Sequence, residues 1–142
     1  MDNDPGNLLS AVCAASGRIL DRTDYEDHLI VQKGCYILNR WGYGPIYEYG
    51  KYIRGPYSLE LAEDMEGIDL TESGTDVPDD VVRELSEILT RGTDYLEAYA
   101  TVLLVKENNP SRDNSTLMKK ALSIRPALKD EITEACSVIL DR

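Results

Sequence analysis

The chain has 142 residues, 42% of them hydrophobic and 29% charged, which is the size and balance of one globular domain with one core. Its 26 acidic residues outweigh 15 basic ones, and the net charge of −11 repels phosphate backbones on average. The longest apolar run, Ala100 to Val105, is too short to span a membrane, and the start MDNDPGN has no basic n-region, so a cytoplasmic protein without a signal peptide is expected.

Periodicity and punctuation place the helices in chain order. The first is expected from about Asn7 to Leu20, with Leu8, Val12, Ile19 and Leu20 on one side. The second is expected from about Asp24 to Trp41, with Ile30, Gly34, Ile37 and Trp41 in line. Gly34 costs that helix about 1 kcal/mol of propensity and reads as a place of close backbone approach. Residues 43 to 57 break the pattern, and IYEYGKYI inside them suits a short strand or hairpin.

Ser58 follows as an N-cap, with Glu60 in the first turn of a short helix ending near Glu66 and Gly67. A polar loop leads to Pro78. The fourth helix then carries Val81, Val82, Leu85, Ile88 and Leu89, and Gly92 ends it. Thr93 is expected to cap a fifth helix with Tyr95, Leu96, Tyr99, Val102 and Leu103. A short helix over about Ser115 to Ser123 and a last one over about Leu128 to Leu140, with Leu128, Ile132, Ala135 and Ile139 inward, complete the chain. The expected fold is mainly α: one compact helical domain (1–142) of about six helices with a small non-helical or short β insert near residues 43–57.

That insert is the feature above background. Asn39 to Ser58, NRWGYGPIYEYGKYIRGPYS, holds five of nine tyrosines and the only tryptophan. Lys33, Arg40, Lys51 and Arg54 face only Glu48 within residues 33–57, whereas residues 58–80 hold nine acidic residues and no basic one. Tyrosine and arginine are the side chains of protein interfaces. The candidate partner-binding residues are therefore Trp41, Tyr43, Tyr47, Tyr49, Lys51, Tyr52 and Arg54. The competing reading is packing: with no phenylalanine in the chain, tyrosines fill ring-sized places in the core, as expected for Tyr36, Tyr95 and Tyr99. Gly55, Pro56, Tyr57 and Ser58 read as a structural corner, with Pro56 aiming the chain into the helix and Tyr57 stapling onto Leu61 or Ala62.

Nothing in the sequence marks an enzyme. GYGPIYEYG lacks the strand-to-helix setting of a phosphate loop. His28 is the sole histidine, and Cys13, Cys35 and Cys136 are far apart, so no triad, zinc site or disulfide framework is expected. Glu60, Glu63, Asp64 and Glu66 read as a solvated acidic face rather than a metal cluster. No cofactor is expected. The tail STLMKKALSIRPALKDEITEACSVIL looks like a helix–turn–helix. Asp130, Glu131 and Glu134 on its second helix argue against groove entry.

The pattern also resembles a known group. Val31-Gln32-Lys33 with Tyr36-Ile37-Leu38 is similar to an "xLQKLxYLL" helix, and Gly55-Pro56-Tyr57-Ser58 with Glu60-Leu61 and Asp64 is similar to "GPYSxELxxDL". IRPALKDEITEACSVIL resembles a closing "KPxxxxEEIxxA" element. These are motifs of the YwgA-like microbial proteins, which are related in pattern to the Panacea and SocA-like (phage-associated) antitoxin domains. Gly34 and Cys35 depart from the usual apolar pair. The resemblance implies a nearly all-helical fold and neutralisation of a partner toxin by direct contact. The expectation is a non-enzymatic interaction protein, antitoxin-like or regulatory, with a protein partner and an open question of homo-oligomerisation. The alternative is a nucleic-acid-associated transcriptional regulator using the helix–turn–helix-like tail.

Overall fold

Proline at the first helical position and an Asp4 cap start helix α1, Pro5–Ser16, in the computed structural model, which describes residues 4–52, 55–67 and 74–140, with backbone alone at 51 and 52. Gly17 ends α1 in the left-handed region (φ 73°), its N–H reaching back to Cys13 and Ala14. The helix is therefore shorter than the apolar pattern suggested. Leu20 still turns inward, but Ile19 is 73% exposed.

Helix α2, Tyr25–Arg40, is capped by Asp24, whose carboxylate accepts from the Asp27 N–H. Glu26 and Asp27 in its first turn and Arg40 in its last complement the helix dipole. From Leu29 to Asn39 it is buried on every side. Gly34 meets α1 there: a Cβ on it would lie 3.0 Å from Val12 Cγ1. The close approach expected at Gly34 is made by a side chain.

The insert forms two short strands, β1 (Gly50–Tyr52) and β2 (Gly55–Tyr57), paired antiparallel with Gly50 opposite Tyr57 and Tyr52 opposite Gly55. Ser58 caps α3, Leu59–Glu66. Helix α4, Asp79–Leu89, buries Leu85 and Ile88. Gly92 (φ 100°) turns the chain into α5, Thr93–Asn108, so the cap position falls on Gly92 rather than Thr93. Asp113 caps α6, Asn114–Ile124, and a 3-10 turn, Pro126–Leu128, leads into α7, Lys129–Ile139.

Among the described residues, seven α-helices and one strand pair stand where about six helices and a short β insert were expected. Helix α5 is the axis: α2, α4, α6, α7 and β2 all pack on it. A helix buried all round loses the polar face that periodicity detects, and α5 accordingly buries Glu97 and Thr101 with its apolar residues. No helix among the described residues is long and apolar enough to cross a membrane.

Candidate functional site

The sequence runs LIVQKGCYIL across the buried middle of α2, and its two polar residues need partners there. The corner supplies them. Gln32 Nε2 donates to the Ser58 carbonyl at 2.9 Å, and its Oε1 accepts the Ser58 N–H at 2.8 Å. Lys33, only 2% exposed, donates its ammonium to the Pro56 carbonyl at 2.5 Å. Ser58 Oγ in turn accepts the Leu61 N–H at 3.1 Å. Gly55 holds φ 93°, and a Cβ there would lie 2.9 Å from Thr101 Oγ1 on α5. Beneath it, Thr101 donates to the Glu97 carbonyl at 2.8 Å, and the fully buried Glu97 carboxylate pairs with Arg125 at 2.7 Å. Gly55, Pro56 and Ser58 thus lie fixed against α2 and α5. Tyr57 faces outward, half-buried, its ring stacked on His28 and its hydroxyl 2.9 Å from His28 Nε2. The ring partner is on α2, not the expected staple within α3.

Asn39 gathers the aromatic segment. Its amide donates to the Tyr43 and Pro45 carbonyls at 2.7 and 3.0 Å. Its Oδ1 accepts the Tyr47 N–H and the Tyr49 hydroxyl, both at 3.0 Å. These bonds fold Tyr47 and Tyr49 inward while Ile46 and Glu48 point to solvent, a period of two. Tyr47 is 8% exposed and donates to Asp64 at 2.6 Å. Tyr49 meets Tyr36 edge-on at 4.8 Å. The expectation of a recognition surface is corrected for these two rings: they serve packing, and Asp64 holds a tyrosine instead of belonging to a solvated acidic face. Trp41 and Tyr43 pack partly buried against the core. Lys51 and Tyr52 are placed as strand backbone, and Arg54 lies outside the described residues.

What remains open beside this segment is a polar cleft of about 480 Å³, lined by Tyr36, Arg40, Tyr47, Glu48, Tyr49 and Glu107. Arg40 is ion-paired with Glu107, and its guanidinium lies 5.4 Å from the Tyr36 ring centre. Tyr36 donates to the same carboxylate at 3.1 Å. Arg40 Nε is buried without a hydrogen-bond partner among the described residues. Burial pushes the Tyr36, Tyr47 and Tyr49 hydroxyls well above their ordinary ionisation, reinforced by Glu107 at Tyr36 and Asp64 at Tyr47. They are neutral groups whose protons are donated within the fold, to Glu107, Asp64 and Asn39.

Elsewhere, all three cysteines are buried and unbridged, and burial pushes the Cys35 thiol upward, away from the nucleophilic thiolate. Among the described residues no three His, Cys, Asp or Glu side chains converge as metal ligands. Helix α7 lies along α5 and turns Asp130 and Glu134 outward, the latter paired with Arg91.

No protein-family model, curated protein or solved structure matches this chain.

Proposed function

We propose that this chain is a protein-interaction module, antitoxin-like or regulatory in the manner of the YwgA-like and Panacea-related proteins it resembles. It contacts its partner at the polar cleft between the end of α2 and the aromatic segment. The observation that carries the reading is Arg40: a guanidinium ion-paired with Glu107 and lying against the Tyr36 ring, at the wall of an open cleft lined by tyrosines. Arginine and tyrosine in that setting are held in place by Glu107, Asp64 and Asn39, so the cleft offers pre-set polar and aromatic groups at low entropic cost, the chemistry of interface hot spots. The residues are those of the aromatic segment, but the contact shifts from its tyrosine faces to the cleft they line. The acidic outer side of α7 supports a protein partner over nucleic acid.

The test is a pull-down from nuclease-treated native extract with wild-type protein and with Arg40→Ala and Glu48→Lys. The Arg40–Glu107 pair is partly exposed, so its loss costs about 1 kcal/mol or less and leaves the fold intact. One stoichiometric partner, lost in both variants, supports the reading. Retention of that partner by both, or recovery of nucleic acid alone before nuclease treatment, overturns it.

A further inference from the structure

A second surface lies at the other end of α2. Tyr25 opens the helix and Arg40 closes it, about 22 Å apart at 1.5 Å per residue. Tyr25, His28 and Gln32 stand at i, i+3 and i+7, so they form one stripe. Gln32 holds Ser58 and His28 holds Tyr57, which lays the corner along this stripe. The extended backbone at Ser58 (φ −118°, ψ 121°) puts Leu59 on the same side as Tyr57. Arg22 reaches the Met65 carbonyl at 3.1 Å, so α3 runs antiparallel to the start of α2. Tyr25 and Leu59 are each 64% exposed, and the half-buried His28–Tyr57 stack joins them. Large apolar side chains grouped this way mark an interaction surface.

Its rim is acidic. Asp24 on one side and Glu60 and Glu63 on the other are all exposed. The nearby cations are engaged within the fold, Arg18 with Asp27 at 2.6 Å and Arg22 with the Met65 carbonyl. A second copy of this chain would press like charges together, which disfavours self-association here. We infer that the shallow groove between Tyr25–His28 and Tyr57–Leu59 docks a short basic amphipathic helix of another protein. Its apolar residues lie on the ring stack and its lysines or arginines reach the carboxylate rim. This site does not depend on the cleft at Arg40.

The experiment uses two synthetic 16-residue amphipathic peptides, one of leucine and lysine and one of leucine and glutamate, titrated by fluorescence anisotropy. Wild-type protein is expected to bind the lysine peptide at least tenfold more tightly than the glutamate peptide. Tyr25→Ala with Leu59→Ala should weaken that binding at least tenfold, whereas Ile46→Ala, removing an exposed side chain elsewhere, leaves it unchanged. Glu60→Lys with Glu63→Lys should erase the preference between peptides. All of these positions are exposed, so circular dichroism should be unaltered. Equal binding by the Tyr25/Leu59 variant means bulk charge attraction and overturns the proposal. So does equal binding of both peptides by wild type, or a dimer in sedimentation that Tyr25→Ala disrupts.

Discussion

Gln32 and Ser58 exchange two hydrogen bonds, 2.9 and 2.8 Å long, between the buried middle of α2 and the cap of α3. The pairing satisfies both main-chain groups of a buried residue whose side chain already caps α3. Gln32→Leu keeps the volume and strands the Ser58 N–H, while the Ser58 carbonyl keeps the Ala62 N–H at 3.1 Å, so chemical denaturation should show a loss of about 1–3 kcal/mol. Gln32→Glu sets a carboxylate oxygen against the Ser58 carbonyl in the same fully buried site and should cost at least as much as leucine at neutral pH. Equal stability of all three would mean the two bonds contribute nothing net.

Gly55 is constrained twice, by φ 93° and by Thr101 Oγ1 at 2.9 Å from where a Cβ would sit. Gly55→Ala should cost about 2–4 kcal/mol, combining strain and overpacking. Adding Thr101→Ala should return the steric share alone. A double-mutant cycle with zero coupling would place the whole cost in the backbone.

Gly34→Ala presents two opposed effects. Helix propensity gains about 1 kcal/mol, but the new methyl meets Val12 Cγ1 at 3.0 Å and Cγ2 at 3.1 Å in a closed core. The net effect in wild type should be destabilising. In a Val12→Ala background the same change should be stabilising, a sign reversal that thermal melts can read.

The pairings behind these three predictions mark the limit of what was legible in the sequence. Helix starts were readable because Asp24, Ser58 and Pro78–Asp79–Asp80 announce themselves locally. The end of α1 was misplaced, because Leu20 turns inward after the helix has stopped and so prolongs the apolar pattern past Gly17. Gln32 and Lys33 were visible as polar residues in an apolar run, yet their partners lie some 25 positions away (|i−j| of 26 and 23), and no local rule names them. The orientation of Tyr47 and Tyr49 depended on Asn39, whose side chain meets four groups of the loop. Composition could raise the choice between core and surface for these rings, but only the closed geometry of that asparagine decides it.

Alkaline titration should separate the tyrosines. An unfolded tyrosine ionises near pH 10, and burial holds Tyr36, Tyr47 and Tyr49 above that. Their neutral forms stabilise the fold fully below pH 10, and this contribution drains away as pH rises beyond it. Absorbance of tyrosinate should show the buried set ionising only with loss of helicity. A smooth single titration with helicity intact would contradict the buried placement.

Lys33 has its ammonium enclosed against the Pro56 carbonyl, behind the corner rather than at the surface. Acylating reagents need a free, deprotonated amine, which this one offers only when β2 and the start of α3 lift from α2 together. Its labelling half-life is therefore a clock for that single opening event, set against the fast reaction of exposed Lys119 and Lys120 in the same tube.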